Sequence, residues 1–66
     1  MKLYDFVEWE LSKFRKECNF TDEELEYFNL KSKNKSNVFI ASTMHISEPK
    51  VSILARNVKR KILKVL

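Results

Sequence analysis

The 66-residue chain contains no glycine and one proline, Pro49. A strand-rich fold needs turn-forming residues every few positions. Their scarcity excludes a sandwich or barrel and leaves an all-helical chain. It also removes the glycine-rich loop that cradles phosphates in nucleotide-binding enzymes. Cysteine occurs once, as Cys18, so no internal disulfide can form. Small secreted domains are normally stapled by disulfides, so the expected compartment is the reducing cytoplasm. No apolar run approaches the roughly 18 residues of a membrane span. The opening Met1-Lys2-Leu3-Tyr4-Asp5 also lacks the apolar block of a signal peptide. No ligand cluster for a metal is present, and no nucleophile stands beside a base. Neither enzymatic activity, a metal nor a cofactor is therefore expected.

The chain does hold a sharply divided charge. Residues 1–30 carry four cations against eight acids, whereas residues 31–66 carry nine cations against one acid, Glu48. The basic half suits a polyanionic partner. With 44% hydrophobic and 33% charged residues, the composition is that of a folded single domain. A chain this short buries a thin core and has little room for an enclosed cleft. No small-molecule ligand is expected.

Leu3, Val7, Leu11, Phe14 and Cys18 recur at helical spacing, predicting a first helix over residues 3–18 with Tyr4 and Phe6 widening its stripe. Trp9 falls about 160° away from that stripe. Cys18, on the stripe, reads as core. Thr21-Asp22-Glu23-Glu24 is a capping box opening a second helix, residues 22–32, which buries Leu25 and Phe28. Phe20, just before the cap, can staple onto Leu25, and the acids have a capping role.

Lys31 to Lys35 is a polar connection in which Asn34 suits a left-handed residue. Ser36 caps a third helix, residues 37–44, with Ile40, Ala41 and Met44 inward, Val38 marginal and Phe39 outward. His45-Ile46-Ser47 forms the next turn. Histidine tolerates positive φ better than most residues, and here it reads as structural. Ile46 plugs the angle between helices, Ser47 caps the fourth helix, and Pro49 falls in its first turn, where no amide hydrogen is needed. That helix, residues 48–64, has Val51, Leu54, Ala55, Val58, Ile62 and Val65 on one stripe. Pro49, Ile53, Arg56 and Arg60 lie opposite, flanked by Ser52, Asn57, Lys59 and Lys64.

Thr21-Asp22-Glu23-Glu24-Leu25-Glu26, the Ser36 cap, Ile40-Ala41, His45-Ile46-Ser47-Glu48, Val51, and Val58 with Ile62 together resemble a known family. Residues 21–62 are similar to the helix-turn-helix of the promoter-reading C-terminal domain of bacterial sigma factors and of LuxR-type output domains. The resemblance implies a four-helix domain, residues 1–20 forming an added N-terminal helix, in a bacterial or phage setting. It also implies that the helix over residues 48–64 enters the major groove of double-stranded DNA. Pro49, Lys50, Ser52 and Ile53, with Arg56 behind them, would then face base edges. Ser36 and Asn37 near the cap would hold phosphates, and Lys59 and Arg60 on the helix would clamp the backbone. Apart from the resemblance, Lys31, Lys33 and Lys35 in the connection, with Ser47 and Asn57, are expected to add backbone contacts. The family usually has polar or charged residues at the positions of Phe39 and Ile53, and both are apolar here.

The expected function is thus sequence-specific DNA binding by a small transcription regulator. One module covers roughly 600–1,000 Å² of its own surface. Useful affinity would then call for a homodimer or RNA polymerase as a second partner, with Phe6 and Trp9 available as dimer contacts. The alternative is a protein-interaction module on the same fold, an adaptor or anti-activator, which Trp9, Phe39, Ile53 and Leu63 would suit. A membrane-surface role fits poorly, because the core claims the apolar stripe of the fourth helix.

Overall fold

The computed structural model describes residues 3–66, and among them every regular element is helical. A short 3-10 turn, Leu3–Asp5, is followed by α1 (Glu8–Glu17), α2 (Asp22–Ser32), α3 (Asn37–Met44) and α4 (Glu48–Val65). Four helices appear where the pattern predicts them, and the first is shorter than expected.

The continuous helix expected over residues 3–18 is broken at Phe6-Val7. Val7 is extended (φ −79°, ψ 165°), and the Glu10 carboxylate accepts its N–H at 3.1 Å. Glu8 and Glu10 place negative charge in the first turn, where the helix dipole favours it. A local cap thus starts a fresh helix at Glu8. Leu3 remains buried, but Val7, expected on the apolar stripe, is exposed. Phe6 packs instead, its ring edge-on to Phe14 with centroids 5.1 Å apart. Phe6, expected as a possible dimer contact, is partly buried and packed against the core.

Both halves of the capping box at α2 form. The Thr21 hydroxyl accepts from the Glu24 amide at 3.2 Å, and the Glu24 carboxylate accepts from the Thr21 amide at 3.0 Å. α2 buries Tyr27 and Phe28, whereas Leu25 is only half-buried. The Phe20 ring packs on Phe28, with centroids 5.1 Å apart. Arg15 lies over the Phe28 ring, 5.6 Å from its centroid, and donates to Asn29 at 3.0 Å.

Among the described residues of this glycine-free chain, three occupy positive φ: Asn19 (52°), Asn34 (61°) and His45 (58°). Asparagine and histidine tolerate this region better than most residues do. Asn34 is where a left-handed residue was expected. His45 ends α3 with φ 58°, ψ 43°, and its N–H reaches back to the carbonyls of Ala41 and Ser42. Ser47 then caps α4, accepting from the Lys50 amide at 3.3 Å. Ile46 packs against the core between them.

α4 joins these parts. Val51, Leu54, Val58 and Ile62 are at most 3% exposed. α2 and α3 supply most of the surface against them, and α1 supplies less. Ile40 and Ala41 are the buried residues of α3, with Met44 packed beside them and Val38 facing solvent. Cys18 is buried in the same cluster. Burial pushes its thiol pKa up, Glu17 adds to the rise and Lys61 opposes it. The thiol stays protonated and packs as a small apolar group.

Leu54→Ala is expected to cost about 2–5 kcal/mol in urea unfolding, because the cavity lies where three helices meet. His45→Gly is expected to raise stability by up to about 1 kcal/mol, since glycine removes the left-handed strain. A loss on His45→Gly would show that the imidazole holds the turn by contact.

Candidate nucleic-acid interface

The outward side of α4 follows from the same periodicity that fills its inward side. At about 100° per residue, Pro49, Ile53, Arg56, Arg60 and Leu63 fall within about 40° of one line along the helix. All five are exposed. Ser52 and Lys59 flank this line on one side, and Lys64, Asn57 and Lys50 on the other.

The cations of α4 divide into engaged and free groups. Lys61 lies about 120° from the outer line and turns inward. Its ammonium pairs with the Glu24 carboxylate and donates to the Asn19 carbonyl at 3.2 Å. Glu24 is 5% exposed, the only charged residue in the buried set among the described residues. Burial alone would raise its carboxyl pKa, but the Lys61 ammonium and the Thr21 cap outweigh burial and hold it below the usual range. Lys50, expected to face base edges, instead turns to α2, where its ammonium lies 3.8 Å from Glu23 Oε1. Arg56, Lys59 and Lys64 enter no ion pair among the described residues. Arg60 donates to the neutral Asn57 amide oxygen at 2.8 Å and keeps its charge uncompensated.

The connection after α2 joins this surface from one side. Lys31 and Asn34 line the same cleft as Lys59. The Lys31 ammonium also donates to the Lys35 carbonyl at 3.4 Å and to Asn37 Oδ1 at 3.3 Å. The fold therefore gathers Lys31, Asn37 and Lys59, which lie apart in sequence. Lys33 and Lys35 are exposed, and Lys35 sits over the Phe39 ring, 5.2 Å from its centroid. Ser36 is exposed and caps α3, accepting from the Phe39 amide at 3.1 Å, while Ser47 plays the same role for α4. Each hydroxyl accepts from an amide and keeps its own O–H free to donate to a phosphate oxygen.

Trp9, 69% exposed, stands apart on α1, on the side opposite Leu11 and Phe14. Phe39 and Ile53 are each 46% exposed. Among the described residues no three His, Cys, Asp or Glu side chains come together to hold a metal. No helix there is long and apolar enough to cross a membrane. Pattern reading missed the inward Lys61, the buried Glu24 and the buried Tyr27. The angular position of Lys61, near the core edge, was the signal for the first.

No protein-family model, curated protein or solved structure matches the chain.

The Glu24–Lys61 pair makes stability depend on pH. A carboxyl held below its ordinary value of about 4.3 binds a proton more readily in the unfolded chain. Stability is then fully present above that value and is lost as pH falls through the lower folded one. Glu24→Gln should flatten the acid limb of a thermal-melt series below about pH 5. An unchanged acid limb would place the sensitivity on other carboxylates.

Proposed function

We propose that the chain is a small, sequence-specific double-stranded DNA-binding module that regulates transcription. In this reading α3, the His45–Ser47 turn and α4 form a helix-turn-helix of the kind found in sigma-factor promoter-reading domains, with α4 in the major groove. One observation carries it. Arg56 and Arg60 stand exposed on one line of α4, unmatched by any carboxylate, while the opposite side of the helix is sealed in the core.

Arg60, Lys59 and Asn57 supply phosphate contacts from α4, with Lys31, Lys33, Lys35, Ser36 and Asn37 acting from the preceding connection and cap. Arg is suited to this role because its planar fork matches phosphate oxygens, and it holds its charge at any physiological pH. Arg56, Ser52, Pro49 and Ile53 face the groove, and Ile53 can meet a thymine methyl group. Lys50 begins paired with Glu23 and would exchange that weak exposed pair for a DNA acceptor. One module of this size clamps few phosphates, so a second copy or RNA polymerase completes a useful affinity.

A second reading is a protein-interaction module on the same fold. The exposed Phe39 and Ile53 favour it, since apolar groups on a basic face also suit a protein partner.

Fluorescence anisotropy with a labelled duplex across a salt series separates the two. DNA binding predicts log K falling linearly with log salt, with a slope of about −0.9 per phosphate neutralised. Arg56→Ala with Arg60→Ala should weaken binding at least about tenfold at low salt and make that slope shallower by about 1–2. A chain that ignores duplex DNA at low salt sinks this reading. A salt-tolerant protein complex abolished by Phe39→Glu would establish the second.

A further inference from the structure

A cleft of about 340 Å³ opens between the 3-10 turn, the end of α2 and the middle of α4. Ligand sites commonly span roughly 300–1,000 Å³, so this is room for a small molecule. Leu3, Ala55 and Val58 give it an apolar floor. Tyr4 and Tyr27 bring aromatic rings to it, Lys31 and Lys59 bring positive charge, and no carboxylate lines it.

Tyr27 is the most informative residue of the cleft. It is 5% exposed, and its hydroxyl enters no hydrogen bond among the described residues. No side-chain nitrogen or oxygen sealed from solvent lacks a partner. Among the described residues the two facts agree if the small exposed part of Tyr27 includes its hydroxyl, which then opens onto the cleft it lines. Buried tyrosine hydroxyls normally have a partner, so a free donor here is half of a recognition contact. Lys59 is also without an ion pair. Lys31 is bonded only to neutral acceptors, the Lys35 carbonyl and the Asn37 amide oxygen, so its charge still bears on the cleft.

We infer that this cleft binds a small aryl carboxylate. The ring lies on Leu3, Ala55 and Val58 beside the two tyrosine rings, and the carboxylate accepts from the Tyr27 hydroxyl and pairs with Lys59. Two cations without an acid select an anion, and the shielded floor strengthens the charged hydrogen bonds. The apolar floor selects a ligand with a hydrophobic body, since an inorganic anion would leave it wet.

Binding is read by amide chemical-shift titration of the full chain with phenylacetate and with its uncharged counterpart phenylacetamide, in the absence of nucleic acid. The outcome therefore stands apart from the DNA-binding reading. Phenylacetate should give saturable shifts at Leu3, Tyr27, Ala55 and Lys59 with Kd below about 1 mM, and phenylacetamide should bind at least about tenfold more weakly. Tyr27→Phe and Lys59→Gln should each weaken phenylacetate about tenfold while the thermal midpoint stays near that of the parent chain. The Lys59 change is on the surface and leaves the core intact, so it remains informative if Tyr27→Phe unfolds. No saturation by roughly 10 mM, equal affinity for acid and amide, or indifference to both substitutions would overturn the assignment.

Discussion

The burial of one side of α4 is the constraint on which the molecule rests. Val51, Leu54, Val58 and Ile62 are sealed between α2, α3 and α1. Each fully buried aliphatic side chain contributes about 1.5–3 kcal/mol relative to exposure, and a chain of 66 residues has few others to draw on. A helix held by one side has no rotational freedom left. Fixing the inner stripe therefore fixes the outer one, and Arg56, Arg60 and Ile53 face solvent as a consequence. The orientation of the basic surface is a by-product of packing.

The remaining structure guards that orientation. Without glycine, the chain bends at Asn19, Asn34 and His45, each in the left-handed region. His45 sets how α4 leaves α3, with Ser47 and Pro49 beginning the new helix at once. The Glu24–Lys61 pair ties the far end of α4 to the start of α2 and to the Asn19 bend. A paired buried charge is weak evidence of net stability, but it penalises any rotation of α4 that would separate the partners. The acids of α2 thus have two roles. They cap their own helix, and Glu23 and Glu24 engage Lys50 and Lys61 of α4.

That sorting gives the surface its character. Lys50 and Lys61 have acidic partners, and the cations left free lie on the outer line of α4, at Lys59 and Lys64 on its two flanks, and in the connection after α2. The face is basic but not uniformly polar, because Ile53 and Phe39 interrupt it. A surface of this kind offers charge for attraction and apolar groups for shape-dependent contact. The cleft beside Lys59 arises because the 3-10 turn and α1 do not form one straight helix. The break at Phe6-Val7 lets Leu3 and Tyr4 stand against α2 and α4 with a gap beneath them.

Much of this was legible in the residues. Absent glycine, regular apolar spacing and the caps at Thr21, Ser36 and Ser47 specify four helices, because these are local effects acting over one or two turns. The inward stripe of α4 and the left-handed Asn34 are of the same kind. Three matters were settled only by the tertiary fold. Phe6 displaced Val7 from the core, since the Glu10 cap broke the helix and rotated what preceded it. Lys50 and Lys61 left the free basic set, since their acidic partners lie 27 and 37 positions away in sequence. Tyr27 came to line a cleft with no hydrogen-bond partner among the described residues, since a gap exists only where several elements fail to fill shared space. Periodicity reports which way a side chain points along its own helix. What it meets there depends on the neighbouring helices, and a single helix carries no record of them.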